Sequence, residues 1–212
     1  MISAGGLLYL GADAFVPPHG RLSLGLDVPC RDVSVDLKTA AGTLVAAAFW
    51  ALREAGAVTI GVEQKKGLFG AKSRVAVRRA PGGTGAGANG PVETGLLAAL
   101  ADKDPYARDT VYRWLGRDFG NPWGTAVGRI ESELVEAGLL KPAEVSGVKG
   151  KLKAVSSGRP AVAPDCGAVD AVRVDVEAMV GQWQAFQHAE PDLAKALVAE
   201  CRDGVDRRLE SD

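Results

Sequence analysis

Histidine and cysteine are scarce in this chain, and each shortage removes a class of chemistry. His19 and His188 are the only histidines in 212 residues, so a Ser–His or Cys–His nucleophile has little to draw on. His19 sits in a Pro/Gly turn and His188 at a helix end, where a cation complements the dipole. Both read as structural or surface residues. There is no HExxH and no GxSxG, the signatures of metal-dependent and serine hydrolysis. Carboxylates are plentiful, and the pattern places them on charged helical faces. The expectation is a non-catalytic protein with no cofactor and no metal. Three cysteines, Cys30, Cys166 and Cys201, are odd in number, far apart and without CxxC spacing. That points away from a disulfide framework or a zinc site and toward reduced, buried thiols. No apolar run reaches the length of a membrane span, and the first residues lack the basic and apolar regions of a signal peptide. The cytoplasm is the expected location, with any membrane contact peripheral.

What is present is an ordinary globular composition, 47% hydrophobic and 24% charged, enough for a real core. The net charge of −1 argues against wholesale wrapping around nucleic acid, but it conceals an asymmetry. Residues 63–79 carry Lys65, Lys66, Lys72, Arg74, Arg78 and Arg79 against Glu63 alone. From 165 onward acids dominate, among them Asp165, Asp170, Asp175, Glu177, Asp203 and Asp206. Such a chain can face a polyanion with one side only.

Along the chain, Leu22, Leu24, Leu26 and Val28 alternate within 21–28, the period of a strand with one buried face. Residues 39–56 read as an apolar helix, with Leu44, Val45, Ala48, Phe49 and Leu52 on one side and Gly56 as its stop. Strands are expected over 58–63 and 74–79, with 64–73 as the loop between them. Helix, glycine stop and hairpin together make a winged-helix-like unit. The segment 82–91 is a Gly-rich linker. Helices follow at 92–101 and 107–115, and Asn121-Pro122 caps and opens a third that stops at Gly138. A second hairpin is expected from 151–155 and 159–163, and two more helices from 166–188 and 191–209. The fold class is mainly α with small β-hairpins, as winged-helix-like units packed in one helical domain: 1–81, then the linker, 92–164, and a C-terminal helical segment 165–212. Of the four tryptophans, Trp50 and Trp114 read as core, and Trp123 stands between core and binding surface.

Two segments imitate nucleotide sites. Gly85-Ala86-Gly87-Ala88-Asn89-Gly90 matches GxGxxG, but the preceding strand belongs to a hairpin and no alternation of strand and helix follows. Gly67 to Ser73 resembles a P-loop, yet Ala71 replaces the glycine before Lys72, and the segment joins two strands rather than a strand and a helix.

The stretch that remains is the hairpin tip. Lys65, Lys66, Lys72 and Arg74 flank Leu68 and Phe69, and a turn has no evident way to bury those two apolar side chains. Lysines alone would serve to discourage edge pairing. An apolar wedge ringed by cations suits an anionic bilayer, at about 1 kcal/mol per basic residue near the headgroups. It equally suits burial in a neighbouring copy, or a wing along a nucleic-acid backbone. In that last case Arg113, Arg117 or Arg129 should join the hairpin in one basic face.

Two blocks carry a family resemblance. The first is Ala51-Leu52-Arg53-Glu54-Ala55-Gly56-Ala57-Val58-Thr59-Ile60 with the Lys-Lys hairpin and Ala80-Pro81. The second is Val111-Tyr112-Arg113-Trp114-Leu115, Asn121-Pro122, and Arg129 leading to Leu134-Val135-Glu136-Ala137-Gly138-Leu139-Leu140. With Leu7-Leu8-Tyr9-Leu10-Gly11 they resemble the Golgi phosphoprotein family over roughly 5–142. The resemblance implies a mostly helical, non-enzymatic adaptor that binds anionic lipid headgroups peripherally and self-associates through its hairpin. The family's headgroup pocket does not carry over. The 21–26 region has no Trp, Gly42-Thr43 stands where an Arg would open the core helix, and Gly124 and Val127 replace paired arginines. Arg129 matches only a neighbouring arginine.

Overall fold

A computed structural model describes residues 2–20, 23–67, 70–82, 90–116, 121–143, 159 and 161–207, without the side chains of 66, 67, 70 and 71. It is mainly helical, with small two-stranded antiparallel sheets. Helix α1 (Ala4–Leu10) starts at Ser3, whose hydroxyl accepts from the Gly6 amide at 2.8 Å. Strands β1 (Gly25–Asp27) and β2 (Ser34–Asp36) pair with Leu26 opposite Val35. The strand expected over 21–28 is therefore shorter. A turn in which Ser23 and Gly20 exchange hydrogen bonds bends the chain first. The alternation consequently buries Leu26 and Val28 and leaves Leu24 in water.

Helix α2 (Leu37–Glu54) is the centre of the molecule. Asp36 caps it, accepting from the Thr39 amide at 2.8 Å. From Ala40 to Trp50 every side chain is buried, which fits the run of small residues. The helix ends as the sequence indicates. Gly56 takes φ +68°, its amide reaches the Arg53 carbonyl, and the Ala57 amide reaches Leu52, each at 2.9 Å. This pair of bonds satisfies the last carbonyls of the helix. Helix α5 (Pro122–Glu136) ends the same way at Gly138, φ +75°, with amide bonds to Val135 and Leu134. Each helix is followed at once by a strand.

After α2 come β3 (Val58–Gly67) and β4 (Gly70–Arg79), in register from Val58 opposite Arg79 to Gly67 opposite Gly70. Most of the segment expected as a loop, 64–73, is thus ladder. After α5, β5 (Leu140–Pro142) pairs with β6 (Val162–Pro164), Leu140 opposite Pro164. The expected strand 159–163 thus lies near β6, and its expected partner 151–155 falls outside the described residues. The strand paired with β6 is the one leaving the Gly138 stop, and 144–158 as a whole lie outside the described residues. Helices α3 (Pro91–Ala99) and α4 (Ala107–Leu115) separate the two units.

The C-terminal segment is three helices rather than two: α6 (Cys166–Ala171), α7 (Arg173–Ala189) and α8 (Pro191–Asp206). Helix α8 packs along α2 and α4, and one apolar core runs from α1 through α8. Trp50 and Trp114 are buried as expected, and so are Trp123 and Trp183. Trp50, Trp183 and Phe186 form an aromatic cluster with ring centroids 5.5–6.0 Å apart, and the Lys38 ammonium sits 4.6 Å over the Trp123 ring.

Two expectations about polar residues are corrected. Cys30 and Cys166 are joined in a disulfide across 136 residues of sequence, leaving Cys201 as the buried free thiol. Odd count and wide spacing mislead here because a single bridge needs only two chain segments to meet. The carboxylates Glu93, Glu131 and Glu133 are buried, not solvated. Glu133 accepts from the Ser3 amide at 2.5 Å and Glu93 from the Ala4 amide at 3.2 Å, so both serve the otherwise unpaired donors at the start of α1. Glu131 receives the Tyr9 hydroxyl at 2.7 Å and an ion pair from Arg159. Burial and the Glu131 charge push the Tyr9 phenol well above its usual range.

Candidate docking hairpin

In an antiparallel ladder, directly opposed residues share a face. Thr59, Gly61, Glu63 and Lys65 therefore lie with Arg78, Ala76, Arg74 and Lys72 on one face of the ribbon. Ile60, Val62 and Gln64 lie with Val77, Val75 and Ser73 on the other. The base is anchored through β4. Its outer edge bridges to Tyr106, and the Val77 amide donates to the Pro105 carbonyl at 2.5 Å. Val75 and Val77 are buried, whereas Val62 opposite Val75 is 52% exposed.

The cations expected to act together are divided by this geometry. Arg74 points into the body and is only 8% exposed. Its Nε donates to Glu200 at 2.5 Å and its Nη2 to Asp109 at 3.2 Å, and its guanidinium lies 4.7 Å from the Tyr106 ring centroid. Burial opposes the Arg74 charge, but Glu200 and Asp109 outweigh it and hold the group above its ordinary value. Arg74 is a joint between β4, α4 and α8, not a contact residue, because its register points it inward toward α8. Lys65 is half-committed: its ammonium is 4.6 Å from the Tyr106 centroid and 3.6 Å from Asp104. Arg78 is paired with Glu63 across the ribbon. Lys72 is exposed. The backbone of Lys66 continues the ladder opposite Ala71. Leu68 and Phe69 lie outside the described residues.

Arg129 is not brought to the hairpin. Its Nη2 donates to the Leu115 carbonyl at 3.1 Å, and its guanidinium stacks 4.9 Å over Trp114. Arg113 likewise donates to the carbonyls of Ala99 and Asp104. Both arginines tie the second helical set together, and Arg117 lies outside the described residues. The basic face expected of a nucleic-acid binder therefore lacks Arg113 and Arg129.

Protein-family models, curated proteins and solved structures give no match to this chain. The site must be read from its own geometry.

That geometry is a stiff projection. Gly70 lies four ladder residues beyond Arg74, which at ~3.3 Å per residue is roughly 13 Å. Gln64 donates to Ser73 at 2.8 Å across the strands, reinforcing the ribbon past its last buried side chain. Sequence reasoning missed Val62. Its place in the Val58, Ile60, Val62 alternation implies burial, but the ribbon departs from the core before reaching it. Among the described residues no group of His, Cys, Asp and Glu is arranged to hold a metal.

Proposed function

We propose that this protein is a non-enzymatic adaptor that docks through the tip of the β3–β4 ribbon onto an anionic bilayer or a neighbouring subunit. The reading rests chiefly on the unbroken register out to Gly67 and Gly70. That register extends the ladder beyond the last buried side chains, up to the residues that flank Leu68 and Phe69 in the sequence. Lys72 and Lys66 are the cations assigned to the contact, with Lys65 released from Asp104 on docking, while Arg74 and Arg129 are withdrawn from it. The likeness of the two sequence blocks to the Golgi phosphoprotein family favours the same reading. No described helix is long and apolar enough to cross a membrane, so contact with a bilayer would be peripheral. The Cys30–Cys166 bond fits a compartment that preserves disulfides better than the reducing cytoplasm.

Flotation with vesicles containing phosphatidylserine, run on the wild type and on Leu68→Ala/Phe69→Ala, tests the reading. Lipid binding that the double variant loses supports bilayer docking. A shift from oligomer to monomer in size-exclusion light scattering assigns the tip to a subunit contact. Salt-sensitive DNA binding indifferent to the Leu-Phe pair contradicts the adaptor.

A further inference from the structure

Helix α8 brings unspent positive charge to a cavity far along the chain from the hairpin. Among the described cationic side chains, Lys72, Lys103, Lys195 and Arg202 alone lack a carboxylate, carbonyl or aromatic partner. Two of these four, Lys195 and Arg202, line one cavity of about 460 Å³ between α2, α7 and α8. They are seven residues apart, two helical turns on one face. Of the acids on α8, Glu200 is engaged with Arg74 and Asp206 with Lys38, while Asp192 and Asp203 carry no ion pair among the described residues but do not line the cavity.

The cavity also holds a hydroxyl that has no partner among the described residues and stays open to water. Thr43, on α2, lines it and is 5% exposed, yet its hydroxyl makes no hydrogen bond among the described residues. Elsewhere Thr125 and Ser132 satisfy theirs on the carbonyl four residues back, so the free hydroxyl of Thr43 is not the default of a helical residue. Gln187 adds a half-buried amide, also without a partner. The approach of α8 to α2 depends on Gly42, where an added Cβ would stand 3.1 Å from the Arg202 Cβ. That close packing sets Arg202 beside Thr43. The remaining wall is apolar: Phe15, Ala194 and Val198.

We propose that this cavity is a binding site for an amphiphilic organic anion, a carboxylate bearing an apolar chain. Lys195 and Arg202 hold the carboxylate, Thr43 and Gln187 donate to it, and the chain covers Phe15 and Val198. A bare inorganic anion would leave the apolar wall uncovered, and a neutral amphiphile would leave two cations unmatched. The N-terminal end of α8, at Pro191, adds the favourable end of a helix dipole. The volume lies within the range of small-molecule sites. This site is independent of the hairpin and stands whether or not the tip docks.

Calorimetry with decanoate below its micellar concentration tests the proposal, with acetate and octyl glucoside as comparators. Decanoate should bind the wild type at least tenfold more tightly than either. Lys195→Ala/Arg202→Ala should weaken decanoate binding at least tenfold with the unfolding midpoint unchanged, since both side chains are exposed. Thr43→Val, which keeps the shape, should weaken it several-fold. No decanoate binding to the wild type, or equal affinity in the Lys195→Ala/Arg202→Ala variant, overturns the proposal.

Discussion

Replacing Glu93 by Gln should abolish most of a pH dependence built into the start of α1. The Glu93 carboxyl is 1% exposed, its Oε1 accepts from Ala4, and its Oε2 has no partner. Burial pushes its pKa up to about 7. Backbone amides partly oppose that shift, and the charge of Glu133 adds to it. Burial raises Glu133 as well. A carboxyl raised in the folded state binds its proton there while the unfolded chain has lost it. Stability is therefore full below about pH 4.5 and falls as pH rises toward 7. A shift from 4.5 to about 7 corresponds to roughly 3 kcal/mol. The other shifted carboxyls, Asp36, Glu63 and Asp165, are lowered, so their contributions are lost only in acid, below this window. Urea unfolding followed by tryptophan emission between pH 5 and 8 should show the wild type losing about 3 kcal/mol. Glu93→Gln, a permanent mimic of the protonated form, should keep only the shallower fall that Glu133 contributes and be the more stable protein at pH 8. A variant with the same slope as the wild type would refute the assignment to Glu93.

Arg74→Ala should cost up to about 3 kcal/mol, because the largely buried Glu200 loses its partner while Asp109 keeps Arg207 and Arg108. Arg74→Ala/Glu200→Ala should recover part of that loss in urea titrations. Gly56→Ala and Gly138→Ala should each lower stability by about 1 kcal/mol or more through the left-handed backbone alone, since no atom lies within 4 Å of an added Cβ at either position. Breaking the Cys30–Cys166 bond should lower the thermal midpoint, the lost stability reaching up to ~4–5 kcal/mol in the chain-entropy limit for a closed loop this long. Thiol titration of the unreduced, unfolded protein should find one free thiol, and three would contradict the bridge.

Local signals carried much of the fold. Gly56 and Gly138 were readable as helix stops because a left-handed position just after an apolar run favours glycine for steric reasons. The Asn121-Pro122 start was readable because its cap is made within three residues, Asn121 accepting from Trp123 at 3.1 Å and Gly124 at 3.4 Å. Long-range chemistry was not readable. Arg74 looks like any hairpin cation until Asp109, 35 residues away, and Glu200, 126 residues away, close on it. The disulfide and the capping of α1 by Glu93 and Glu133 depend on the same kind of meeting. Of the candidate contact set, the ladder position of Lys72 follows from alternation. The diversion of Lys65 to Tyr106 and Asp104 does not, because the 104–106 segment reaches the ribbon edge only through the packing of α4.

The docking claim is most directly tested by placing a reporter at the tip. The four native tryptophans are buried and give a constant background, so the added signal of Phe69→Trp reports the environment of position 69 alone. On titration with vesicles containing phosphatidylserine, its emission should shift to the blue and be quenched by brominated acyl chains, with neutral vesicles giving neither effect. Emission that stays at the wavelength of a water-exposed indole in the presence of anionic vesicles, from a protein that is monomeric throughout, would contradict the claim that this tip exists to be covered.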